Sequence, residues 1–224
     1  MCGRYTLTAP SEVIAEVFDV AEVTAELSPR YNIAPTQETA IVGLNHEGKR
    51  TLGTMRWGLI PHWAKDPSIG NRLINARSET AAEKPSFRSS FKKRRCLVPA
   101  DGFYEWKKLD GRKQPYYLRL KEHRPFAFAG LWARWSGEDD QPVLSFTLLT
   151  TEPNELAKEV HDRMPVILQP KHYDTWLDPE VHDREQLEAM LGSYPAEEME
   201  TYAVSTEVNS PRNDRPSCIE PLEG

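Results

Sequence analysis

Proline and glycine punctuate this chain so often that no long regular element fits between them. Eighteen prolines and twelve glycines are spread through 224 residues. Each proline removes a backbone donor and turns the preceding residue away from helix. Short apolar runs are left. Ser11 is placed to cap a helix whose Val13, Ile14, Val17 and Phe18 fall on one face. Strands are predicted over 39–44, 53–60, 115–120, 126–133 and 143–150, with two pieces over 95–106 broken at Pro99–Gly102. Shorter strands are predicted over Met164–Leu168 and Tyr202–Ser205. Helical turns fit 78–84 and 86–91, and helices fit 154–160 (with Pro153 in the first turn), Lys171–Leu177 and Arg184–Leu191. Short strands mixed with short helices, without a βαβ rhythm, predict an α+β fold. No break in composition divides residues 1–224, which read as a single domain. The prolines at 211, 216 and 221 predict a loose C-terminal tail from about residue 212.

The formal charge is −6, from 28 basic and 34 acidic side chains, which excludes a uniformly basic nucleic-acid binder. The charge is uneven, however. Residues 84–95 carry six basic side chains and no acid, while 178–200 carry eight acids and one arginine. The basic run reads either as a solvated turn or as a local cationic face. No apolar run reaches transmembrane length and no signal-peptide pattern opens the chain, so a cytoplasmic protein, nucleoid-associated when on DNA, is expected.

The three cysteines, Cys2, Cys96 and Cys218, lack the spacing of a zinc site or a disulfide framework. Cys2 follows the initiator directly. Removal of Met1 would give a terminal 1,2-aminothiol, whose amine condenses with an aldehyde and whose thiol can then close a thiazolidine ring. Amine and thiol titrate near about 8 and about 8.5, so reactive fractions of both exist at neutral pH. An N-terminal nucleophile is also an established catalytic device. By position alone, Cys2 reads more readily as an accident beside the initiator.

Four segments do not read as core patterning: Arg30-Tyr31-Asn32-Ile33-Ala34-Pro35, Asn75-Ala76-Arg77-Ser78-Glu79-Thr80, Asp101-Gly102-Phe103-Tyr104-Glu105-Trp106 and His161-Asp162-Arg163-Met164-Pro165. In an extended strand Phe103 and Glu105 share one face and Tyr104 and Trp106 the other. A carboxylate among rings is desolvated and suited to proton transfer, or it is a cross-strand partner for a cation. His161 fits a general acid or base near neutrality, or a histidine satisfying helix-terminal carbonyls. Asn75 and Arg77 share a face if extended, where they either orient a substrate and hold a phosphate or anchor a loop. Trp63, in the Pro61–Gly70 loop, is either a ring that stacks on an unpaired base or a lid residue.

Together with Met1-Cys2-Gly3-Arg4-Tyr5, Arg56-Trp57-Gly58-Leu59-Ile60-Pro61, Val204-Ser205 and Asn209, these segments make the chain resemble the SRAP family of SOS-response-associated peptidases, or abasic-site-processing proteins. The resemblance runs from the first residue to about position 212. It implies a single compact α+β domain around a curved, barrel-like, mostly antiparallel sheet with short peripheral helices. It also implies a role in DNA damage and the SOS response: binding of single-stranded DNA that contains abasic sites, and a covalent, reversible crosslink through Cys2. On that resemblance the catalytic set is Cys2, Asn75, Glu105 and His161, and the DNA-binding set is Arg4, Arg77, Arg163 and Trp63. No metal or organic cofactor is implied, nor any membrane contact, and the chain is expected to act as a monomer. Removal of Met1, by the protein itself or by an aminopeptidase, is the step that gives the name peptidase. A cysteine peptidase acting on other proteins and a non-covalent single-stranded-DNA-binding module are the competing readings.

Overall fold

A computed structural model describes residues 2–137 and 141–222. Its centre is a closed ring of five strands. Pro142–Thr151 pairs antiparallel with Phe126–Ser136, which pairs with Arg95–Ala100, then Glu38–Leu44, then Arg50–Trp57. Arg50–Trp57 returns to Pro142–Thr151 through a parallel pairing of Arg56 with Ser145 and Trp57 with Phe146, which closes the barrel. Closure leaves no open edge among these strands. Asn75–Arg77 adds a short parallel strand to Pro142–Thr151.

A second, antiparallel sheet runs Met199–Ala203, Arg112–Leu120, Gly102–Leu109, Tyr5–Leu7, Arg30–Ile33. The chain passes from barrel to sheet at Asp101, between Arg95–Ala100 and Gly102–Leu109. The main core lies between the two bodies. Tyr5 of the sheet meets Trp57 and Phe128 of the barrel edge-on, with ring centroids 5.2 and 5.7 Å apart. Fully buried aromatic rings of this size dominate the apolar area removed from water, at roughly 25 cal/mol per Å². On the sheet's other face Tyr104, Tyr117, Val204, Val208 and Cys218 form a smaller cluster.

The α+β class and the short helices are as the sequence predicts, and the barrel-like sheet is as the family resemblance implies. Several details differ. The Ser11–Val17 helix starts after Pro10 without a side-chain cap, because Ser11 Oγ accepts from the Leu27 amide instead. Only Ile14 and Phe18 of its predicted face are buried, and Val13 and Val17 look outward. Pro153 lies just outside its helix, Glu155–Lys158, which Asn154 caps by accepting from the Ala157 amide at 2.9 Å. Met164–Leu168 splits at Val166 into two two-residue strands on different neighbours. The segment from 212 onward is irregular but fastened rather than loose: Pro216–Ile219 is a 3-10 turn, Cys218 is buried, and Val204 pairs with Pro221. Among the described residues no helix is long and apolar enough to cross a membrane.

Candidate active site

The site forms where the start of the chain meets the seam between barrel and sheet. Tyr5 pairs with Phe103, and the Tyr104 amide donates to the Arg4 carbonyl at 3.0 Å. Continuing that antiparallel register lays Cys2 and Gly3 beside Glu105. Asp101 fixes the other end of the first strand, accepting from the Thr6 hydroxyl, from the Thr8 amide and hydroxyl at 2.5 and 2.7 Å, and from the Ala9 amide. Gly102 is required here, since a Cβ on it would lie 2.1 Å from the Tyr117 hydroxyl oxygen.

Asn75 enters from the barrel. The Trp57 indole donates to the Ile74 carbonyl at 2.9 Å and the Leu148 amide to the same oxygen at 3.1 Å. That anchors the backbone just before Asn75, whose Nδ2 donates to the Cys2 carbonyl at 2.7 Å. Its Oδ1 is buried without a hydrogen-bond partner among the described residues. A buried orphan acceptor costs free energy until a donor arrives, which makes it a seat for an N–H or hydroxyl. Arg77, two residues along and exposed, shares the Asn75 face of this strand.

Glu105 lies on the Phe103 face of its strand and is 4% exposed. Burial pushes its carboxyl up from the usual range to about 7. The Cys2 thiol is wholly buried and also pushed up, first by burial and then by the Glu105 carboxylate, so it stays a neutral thiol until a base takes its proton. It lies 3.7 Å from the Arg4 carbonyl. His161 completes the group, with Nε2 4.0 Å from Glu105 Oε2. The capped Glu155–Lys158 helix positions it, since the His161 amide donates to the Ala157 carbonyl at 2.9 Å. The Arg163 amide donates to Nδ1 at 3.1 Å, Asp162 Oδ1 lies 2.9 Å from the same nitrogen, and Nε2 is the nitrogen that faces Glu105. Burial lowers the pKa of His161 and favours the neutral ring.

Glu105 and His161 open onto a recess of about 410 Å³ lined also by Trp106, Lys108, Lys113 and Asn209. Lys108 and Lys113 stand directly opposite each other in the hairpin. Like charges so placed destabilise a strand pair, and an anion between them would remove the repulsion. Neither lysine stands out in the sequence. The readable signal is their cross-strand placement, which needs the hairpin turn at Asp110-Gly111 to be seen first, where both residues have positive φ.

The four expected catalytic residues therefore converge, whereas the expected DNA contacts have diverse surroundings. Arg4 gives Nη1 to Asn32 Oδ1 and the Val208 carbonyl, at 3.2 and 2.7 Å, and Nη2 to the Asn209 carbonyl at 3.4 Å. Arg163 grips Glu79 bidentately, at 2.6 and 2.9 Å, and the Thr150 carbonyl at 2.6 Å. Its charge is already matched inside the fold. Arg77 and Trp63 face solvent, Trp63 at 49% exposure. The loop bearing Trp63 is closed at its base by Gly58 and Gly70, where a Cβ on Gly58 would meet the Gly70 carbonyl oxygen at 2.6 Å. Within the 84–95 run Arg95 turns inward, spending its guanidinium on five backbone carbonyls, so that stretch is no continuous cationic face. Among the described residues no three His, Cys, Asp or Glu side chains gather as a metal site.

The family model described as SOS response associated peptidase (SRAP) matches residues 1–211. The abasic site processing protein YoqW of Bacillus subtilis (strain 168) is 46% identical, over 98% of this chain and 99% of its own. The abasic site processing protein HMCES of Gallus gallus is 36% identical, over 87% of this chain and 67% of its own. A crystal structure of a protein from Bacteroides thetaiotaomicron superposes with a TM-score of 0.89 at 26% identity, covering 99% of this chain and 100% of that one.

Proposed function

The chain belongs to the SOS response associated peptidase family, and from that premise we propose that it processes abasic sites in single-stranded DNA by covalent capture through Cys2. The observation that carries the reading is the convergence on Cys2: Asn75 on its carbonyl at 2.7 Å, with the buried Glu105 beside it and His161 4.0 Å from that carboxylate.

Hydrolysis of the Met1–Cys2 amide comes first, because only then does Cys2 carry a free α-amine. His161 and Glu105 move protons as the abasic sugar opens to its aldehyde. The Cys2 amine adds to the aldehyde carbon to give a carbinolamine. Glu105, protonated below about pH 7, delivers its proton to the departing hydroxyl, which leaves as water from the iminium. The carboxylate so formed takes the thiol proton of Cys2, and sulfur bonds to the iminium carbon. One amine, one thiol and one aldehyde thus become a thiazolidine and one water. Running the same transfers backwards reverses the crosslink. Asn75 Oδ1 receives the amine N–H, and pre-orientation of amine, thiol and aldehyde supplies several kcal/mol of the barrier. Arg77, Lys108 and Lys113 take the flanking phosphates, and Trp63 offers an exposed ring to an unpaired base.

The test is incubation of the purified protein with single-stranded DNA carrying one abasic site. A heat-stable adduct is expected with that DNA and none with intact DNA. Cys2→Ala should abolish it. Cys2→Ser should stop at an imine trapped only by borohydride. An undiminished heat-stable adduct from Cys2→Ala would overturn the reading. Intact mass of the same sample reports whether Met1 has left.

A further inference from the structure

Cys2 and Arg4 lie just ahead of the Tyr5–Leu7 strand, at the start of the chain, yet Arg4 is held from residues near the opposite end. The segment 206–214 crosses the site as a strap. Asn32, wholly buried, shares its two amide hydrogens among the carbonyls of Val208, Ser210 and Asn213, at 3.1, 3.0 and 2.7 Å, and accepts from Arg4 on its oxygen. Asp214 clasps the far end: its carboxylate accepts from the Tyr31 and Asn32 amides at 2.5 and 3.0 Å and pairs with Arg30. The same strap presents Val208 and Asn209 carbonyls to Arg4, and Asn209 Oδ1 takes the Trp106 indole N–H at 2.7 Å on the wall of the recess. Asp214 lies beyond the stretch matched by the family model.

We propose that Asn32 and Asp214 are positioning residues for the capture chemistry, clasping the 206–214 strap onto Arg4 so that Arg4 fixes Cys2. This rests on the capture reading above. The chain of contacts is continuous. Asp214 orders Asn32 and the strap, and these order the Arg4 guanidinium. The Arg4 carbonyl, gripped by the Tyr104 amide, faces the Cys2 thiol. Arg4 is occupied by the strap, so loosening the clasp acts on the alignment of Cys2 more than on affinity for DNA.

Asp214→Asn keeps the size of the side chain and removes the charge that three donors share. Two readouts are taken on the full chain. The first is alkylation of each cysteine by iodoacetamide, resolved by mass spectrometry. Cys218 lies in the clasped tail, with its thiol 3.4 Å from the Asn213 carbonyl, and Cys96 lies in the barrel core. The second is crosslinking to abasic single-stranded DNA, split into maximal rate and half-saturating DNA. Expected are Cys218 labelling faster by about tenfold with Cys96 unchanged, a maximal rate lower by about tenfold, and half-saturation moved by less than about twofold, the scale of losing hydrogen bonds to one charged group. Arg30→Gln, which leaves the backbone bonds of Asp214 in place, should show a smaller loss in the same direction. Faster Cys218 labelling with an unchanged maximal rate overturns the proposal. So does a loss confined to half-saturation, or Cys96 labelling that rises with Cys218, because either assigns the clasp another role. No adduct from the wild type overturns the capture reading instead, and unaltered Cys218 labelling in Asp214→Asn then overturns the clasp separately.

Discussion

Replacing Glu105 by glutamine should make the fold less sensitive to alkali. In the unfolded chain this carboxyl titrates near its ordinary 4.5, and burial in the fold moves it to about 7. A group whose folded pKa is raised stabilises the fold fully below the unfolded value and loses that contribution as pH rises through the folded one. The window is therefore pH 4.5 to 7, and the rise corresponds to about 3 kcal/mol at about 1.4 kcal/mol per pH unit. Glutamine cannot ionise. Its fixed cost, a buried amide in place of a carboxyl, is the same at every pH and cancels in a comparison of slopes. Urea unfolding of wild type and Glu105→Gln, each as the same N-terminal form by intact mass, should be run from pH 4 to 8. The stability of the variant relative to wild type should rise by about 3 kcal/mol between pH 4.5 and 8, nearly all of it before pH 7.5. Parallel profiles would show that Glu105 keeps its ordinary pKa in the fold, and the acid role assigned to it would fall with them.

The remaining predictions concern the neighbours of Cys2 and the mouth of the recess. Asn75→Asp is nearly isosteric but replaces the donor on the Cys2 carbonyl with an acceptor, so it should slow crosslinking by at least about tenfold, as much as Asn75→Ala, with DNA affinity retained. Wild-type kinetics in Asn75→Asp, followed by denaturing gels over time, would remove that contact from the mechanism. Lys108→Gln combined with Lys113→Gln should weaken single-strand binding and lower the magnitude of the slope of log affinity against log salt by about 1.4, since each of the two phosphate contacts on a single strand contributes about 0.7. An unchanged slope in a fluorescence anisotropy titration would place the phosphates elsewhere.

Local alternation made part of this site legible. Phe103 and Glu105 share a face in the sequence pattern, and in the fold that face holds Phe103 in the main core and Glu105 at the site, with Tyr104, equally buried, and Trp106 turned to the second cluster. The closure of the barrel was not legible. It depends on a parallel pairing of Arg56 and Trp57 with residues some ninety positions later, and no local signal specifies that partner. Arginines were the least legible residues. Arg4, Arg77, Arg95 and Arg163 look alike in a string of letters. Their roles depend on what lies opposite: a strap, solvent, five carbonyls or a carboxylate.

The same ambiguity extends to the amides and acids that build the site, and it has a physical cause. The chemistry needs side chains from four separate segments held in fixed relation, and short elements bury too little surface to hold those segments by packing alone. Polar side chains bonded to backbone do the fastening: Asp101 on Thr8 and Ala9, Asn154 on Ala157, Asn32 on the strap. Each is buried or half-buried and hydrogen-bonded, as a catalytic group is. A pattern of buried polar residues in a proline-rich chain therefore marks a built site without separating the groups that react from those that hold them. The separation comes from the direction of the bonds. Asn32 spends both amide hydrogens and its oxygen within the fold, whereas Asn75 spends its donor on Cys2 and leaves its acceptor turned to whatever enters.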